Sequence, residues 1–226
     1  GDFMKMVHSE LSGEIISESA AFTEWIIESP KYFSEYLHEL YCQYEKDEGR
    51  FVLSQGDKIL ELSKYLEIIV NPFTVEINSR KILNKLYIKL EKVSKEEQMY
   101  EETLELTAYI HEYLMQLEQQ TNYILSFDDN LEIPALLKAV GIKHEEMEDD
   151  FFERIIRYVK IAVEVLSTKV FVFVNIRSYL TDEQIQELIK EIRYQEAKIL
   201  FMESQERACL EGGMRYIIDR DGCEIY

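Results

Sequence analysis

The sequence predicts an α/β protein, with an α/β head interrupted by an inserted α-helical leg. Three observations carry this reading. Short β-rich and continuous apolar runs gather in the first and last parts of the chain. The middle is long, charged and helical in period. With 8 Gly and 3 Pro among 226 residues, little of the chain is left for irregular loops. The boundaries put 4–78 and 167–226 in the head and 79–166 in the leg.

Taken in order, residues 22–28 (FTEWIIE) alternate and are β-rich. Ser29-Pro30 then supplies an N-cap and a proline at the first helical position. Tyr32, Phe33, Tyr36, Leu37, Leu40 and Tyr44 follow at helical spacing. Short strands are expected at 51–53, 67–70 and 73–77. Residues 4–21 yield no element by this reading, and Gly1-Asp2-Phe3 before Met4 reads as a remnant outside the fold.

The leg opens with SRKILNKLYIKLEKV, a helix with Lys81, Lys85, Lys89 and Lys92 on one stripe. Ile82, Leu83, Leu86, Leu90 and Val93 make a separate apolar stripe. A second helix is predicted over 95–126, about 30 residues and on the order of 45 Å long. A short helix over 134–140 stops at Gly141, and another spans 148–166.

The head resumes at 169–175 (KVFVFVN), an apolar run suited to a buried parallel strand. Thr181 and Gln184 form a capping box for a helix reaching Gln195. The strand 197–202 (AKILFM) completes a βαβ unit. Residues 214–226 read as two short strands around Asp221-Gly222.

Composition narrows the function classes. A formal net charge of −19 opposes general adhesion to nucleic acid, so any such site must be a local basic surface. The lysine segment is one: Arg80 and four lysines face a single acid, Glu91. A row of ammonium groups suits phosphates and reads no bases. A solvated amphipathic face explains the same spacing.

Cys42, Cys209 and Cys223 form no Cys-x-x-Cys pair, which argues against a disulfide framework or a zinc site and suits a reducing cytoplasm. No apolar run approaches the roughly 18 residues of a membrane span, and no signal peptide is read.

No GxxxxGK[ST] or GxGxxG occurs, and the buried strand ends at Asn175, where a nucleotide hydrolase would place a magnesium-binding Asp. Asn175 reads as a cap for the following loop, and ATP hydrolysis is not expected. His8, His38, His111 and His144 are scattered, without a nucleophile elbow, so no catalytic residue is assigned.

Two acidic clusters stand out. Asp128, Asp129 and Glu132 follow the long helix, where they serve either as solvated helix caps or as oxygen ligands for calcium. Glu145 to Asp150 precede a helix N-terminus, where acids are expected.

Four stretches carry a family resemblance: 41–48 (YCQYEKDE), 73–83 (FTVEINSRKIL), 127–143 (FDDNLEIPALLKAVGIK) and 169–203 (KVFVFVNIRSYLTDEQIQELIKEIRYQEAKILFME). In this order the chain resembles the CRISPR-associated accessory protein of type II-A loci, in its short form. Residues 4–21 depart from the usual beginning of that family.

The resemblance implies a P-loop-like head without a functional nucleotide loop. It implies a homotetrameric ring that binds double-stranded DNA at its ends without sequence preference, held by Ca2+ near the head–leg junction. It places the protein in the cytoplasm beside the CRISPR integrase and effector nuclease during spacer acquisition. Lys81, Lys85, Lys89, Lys92 and, on the short helix, Lys138 are then the candidate DNA contacts. Asp128, Asp129 and Glu132 are the candidate calcium ligands. The competing readings are a metal-dependent nuclease using the acidic loop and a protein scaffold without DNA binding.

Overall fold

A computed structural model describes residues 3–148 and 150–226; Gly1, Asp2 and, from the second acidic cluster, Asp149 lie outside them. The chain is mixed α/β and divides into two units, Gly1–Ile77 with Met147–Tyr226, and Asn78–Glu146.

The first unit is built on a six-stranded sheet in the order β5-β6-β7-β2-β8-β9. Its strands are β2 (Phe22–Ile27), β5 (Leu66–Ile69), β6 (Val170–Val174), β7 (Lys198–Glu203), β8 (Met214–Ile218) and β9 (Glu224–Ile225). The first five run parallel, and β9 folds back antiparallel on β8. The continuous apolar runs of β2, β6 and β7 follow from this placement: all are buried along their whole length, as central parallel strands covered on both faces must be.

Trp25, Val172, Leu200 and Met202 join one core cluster with Tyr36 and Leu40 of α1 (Pro30–Tyr44). Phe171, Phe173 and Phe201 form a ladder with centroids 6.3 Å apart at each step. Tyr158 of α6 (Phe151–Leu166) meets Phe171 edge-on at 6.4 Å. A three-stranded sheet, β1 (Met4–His8), β3 (Phe51–Gln55) and β4 (Lys58–Leu60), adds Met6 and Leu53 to the Trp25 cluster. A one-turn helix, α2 (Leu62–Tyr65), links β4 to β5. The helix α7 (Asp182–Tyr194) carries the expected Thr181–Gln184 capping box and buries Ile185, Leu188, Ile189 and Ile192.

Several sequence expectations are corrected. Residues 4–8 form β1, whose Met4, Met6 and His8 are buried in strict alternation. Phe3 takes part as well, its carbonyl accepting from the Gly56 amide. The strand expected at 73–77 is instead a 3₁₀ turn at Pro72–Thr74. There the Asn71 side chain accepts from the Phe73 amide and Pro72 fixes φ, so the chain turns before a ladder can form. The helix α6 belongs to the first unit, so the leg ends near Glu146 and not at 166. Phe152, Ile155, Val159 and Ala162 of α6 are buried, which the sequence boundary overlooked.

The second unit holds α3 (Arg80–Ser94), α4 (Glu97–Gln119) and α5 (Ile133–Ala139). The long helix is 23 residues, not about 30. It stops because side chains capture the next amides: Thr121 Oγ1 accepts from Tyr123 N, and the Glu118 carboxylate accepts from Leu125 N. Among the described residues, no helix is long and apolar enough to cross a membrane.

Candidate nucleic-acid interface

The lysine stripe is set by α3. Ser79 caps it, its hydroxyl accepting from Ile82 N, and Ile82 is buried while Leu83, Leu86, Tyr87 and Leu90 are half-buried. That apolar side packs against α5. Tyr87 Oη donates to the Ile142 carbonyl at 2.9 Å, which fastens the chain just after α5 onto α3.

With one side so committed, Lys81, Lys85, Lys89 and Lys92 are exposed within about 80° of arc. The single acid of α3, Glu91, pairs with Lys95 at 3.3 Å. Among the described residues Lys85, Lys89 and Lys92 make no ion pair. Ile88 lies along the same stripe and is 58% exposed. Lys138 is exposed near the end of α5, the helix packed against α3.

Asp128, Asp129 and Glu132 are all exposed in the segment before α5, and Glu132 is its N-cap residue without a side-chain capping bond. Among the described residues no three His, Cys, Asp or Glu side chains come together closely enough to hold a metal ion. These three carboxylates therefore do not form a ready-made calcium site within the chain.

In α/β proteins ligands usually bind at the carboxyl edge of the parallel sheet. Only Glu28 and Ser29 separate β2 from α1, and Pro30 removes an N–H from the helix start. So short a connection cannot wrap a phosphate. Asn175, at the end of β6, adopts a left-handed conformation, and its Oδ1 accepts from both Ser204 N and Ser204 Oγ at 3.0 Å.

Sequence reasoning missed a buried charge network beneath the loop after β7. Glu24 of β2 accepts from Arg177 at 2.9 Å, from Arg215 at 3.2 Å and from the Leu210 amide at 3.2 Å. Arg177 and Arg215 also donate to the carbonyls of Ala208 and Arg207. Glu203, at the end of β7, accepts from the Arg177 amide, and burial pushes its carboxyl up to about 7. The available signal was a charge inside each buried run, FTEWII and KILFME.

The histidine His8 was likewise unassigned. It is buried, with Nε2 2.8 Å from Glu39 and Nδ1 accepting from Glu10 N. Burial works against the Glu39 charge, but hydrogen bonds from Arg50 and His8 outweigh it and hold the carboxyl at about 2.

These features define an α/β protein without a phosphate loop, carrying an exposed basic helix on a separate helical unit. The family model described as CRISPR-associated protein (Cas_Csn2) matches residues 43–222. The chain belongs to this family, the Csn2 proteins of type II-A CRISPR systems. It is 26% identical to the CRISPR-associated protein Csn2 of Streptococcus agalactiae over 195 residues, 86% of each chain. It is 22% identical to that of Enterococcus faecalis over 186 residues, 82% of this chain and 83% of the relative. A bacterial Atm1-family ABC exporter solved with ATP bound aligns with 97% of this chain and 37% of its own, at 9% identity and a TM-score of 0.39, too low to carry an argument.

Proposed function

We propose that the protein binds double-stranded DNA without sequence preference, holding duplex ends inside a homotetrameric ring during CRISPR spacer acquisition. The observation that carries this reading is the stripe of α3. A chain of net charge −19 sets four exposed lysines in line and pairs the one acid of that helix elsewhere. Such a row meets successive phosphates and releases their counterions, whatever the sequence. In a ring the acidic excess would cover the outside, leaving the positive potential to the hole.

The assembly is supported by α4, which has no buried residue. Met99, Tyr100, Leu104, Tyr109, Tyr113 and Leu117 are exposed on it, more apolar surface than a lone helix usually leaves to water. The head, in this reading, is P-loop-like: β2 leads straight into α1, with Asn175 at the end of β6 and no glycine loop. Its role is to carry the helical unit, not to turn over nucleotide. The integrase and effector nuclease of the same system, in the cytoplasm, are the proposed partners. Calcium enters without assigned ligands, since Asp128, Asp129 and Glu132 do not assemble in one chain.

The test is a band-shift titration with linear and closed circular duplexes of equal sequence, each with calcium and with chelator. Calcium-dependent binding to the linear form alone is expected, and the duplex stays uncut when magnesium or manganese is added. Equal binding to both forms, or none to either, overturns the ring and leaves a protein scaffold.

A further inference from the structure

We propose that α1 carries a two-ligand chelate for a thiophilic divalent cation of the zinc class, formed by His38 Nε2 and Cys42 Sγ. The two residues are four apart on one helix, so their side chains lie over each other on one face. Their ligating atoms are 3.6 Å apart. A zinc ion bound at its usual distances to sulfur and imidazole nitrogen, with a tetrahedral angle between them, requires about 3.5 Å. The pair therefore already has the bite that the metal needs.

His38 is exposed and Cys42 half-buried, so the ion has open access. Two coordination positions remain for water or a neighbouring carboxylate. Glu35 is exposed on the same helical face one turn before His38, and Glu45, the C-cap residue just after the helix, is exposed three positions after Cys42. Among the described residues no third ligand is gathered there, so the chain supplies two ligands and the remaining positions fall to solvent or a ligand that moves in.

The other thiols differ. Cys209 Sγ faces the Glu24 carboxylate and the Leu210 carbonyl, and Cys223 is exposed; neither has an imidazole beside it among the contacts described. Thiolate and imidazole select zinc, cobalt or copper and are poor ligands for calcium. The site is thus chemically separate from any calcium bound elsewhere. Binding releases the Cys42 proton to solvent.

Cobalt(II) is the probe, titrated into reduced full-length protein carrying Cys209→Ser and Cys223→Ser. The expected result is a near-ultraviolet thiolate-to-cobalt charge-transfer band that saturates, survives excess calcium and is displaced by zinc. Cys42→Ser should abolish the band, and His38→Gln should weaken affinity by about tenfold or more. Circular dichroism checks that both variants remain folded. No band, or a band unaffected by either substitution, overturns the proposal.

Discussion

The side-chain amide of Asn78 is hydrogen-bonded in both directions to the backbone of His144. Its Nδ2 donates to the His144 carbonyl at 2.9 Å, and its Oδ1 accepts from the His144 amide at 2.7 Å. These residues stand 66 positions apart, near the two ends of the helical unit, so one side chain closes the insertion at its base.

Replacing Asn78 by Leu removes both bonds while keeping a side chain of similar size. The expected cost to the closed base is about 1–2 kcal/mol. Hydrogen exchange of the His144 amide should accelerate by roughly tenfold or more, while amides in β6 and β7 keep their protection. Unchanged exchange at His144 would show that the base is held by other contacts.

The lysine stripe makes a quantitative prediction. Each lysine that neutralises a duplex phosphate contributes about 0.9 to the slope of log affinity against log salt. Changing Lys85, Lys89 and Lys92 together to Gln should lower that slope by about 2.7 and weaken binding to every sequence alike. Reversing Lys81, Lys85 and Lys89 to Glu should abolish the shift. An unaltered slope would move the DNA contact off α3.

Glu203 predicts how stability depends on pH. Burial raises its carboxyl from 4.5 to about 7, so between these values the folded chain holds a proton that the unfolded chain releases. The sign follows: Glu203's contribution is fully present below about 4.5 and is lost as pH rises through about 7. Glu203→Gln keeps an oxygen to accept the Arg177 amide and removes the titration. Its advantage over the parent should grow from near zero at low pH to on the order of 3 kcal/mol at pH 8, read from urea midpoints. A difference that does not vary with pH would place the titration elsewhere.

The Arg177–Glu24 pair is buried on both sides, with side chains 5% and 2% exposed. Arg177→Met leaves Glu24 with Arg215 alone among its guanidinium partners and frees the Ala208 carbonyl. Breaking such a pair from one side costs on the order of 3 kcal/mol. The loss should appear as a lower urea midpoint with an unchanged slope, together with faster proteolysis between Ser204 and Gly213.

Much of the architecture was legible because local rules and burial agree. The runs KVFVFVN and AKILFM read as buried strands and are central strands of the sheet, and the Thr181–Gln184 box marks its helix in sequence and structure alike. The lysine stripe of α3 was equally legible, since a spacing of four and three residues is itself a statement about one helical face. Local competition was harder to read. Thr121 and Glu118 end α4 by side-chain capture, and Asn71 with Pro72 turns a β-rich stretch into a 3₁₀ turn. Both effects depend on which of two local hydrogen bonds prevails.

By itself, then, the sequence determined the α/β class, the order of most elements and the basic face, all of which follow from periodicity within a single segment. Only the tertiary structure decided that α6 covers the sheet, that Glu24 meets Arg177 and Arg215, and that Asn78 reaches His144. Those pairings join residues 66 to 191 positions apart, and no periodicity within a segment encodes which distant partner a buried charge or amide will find.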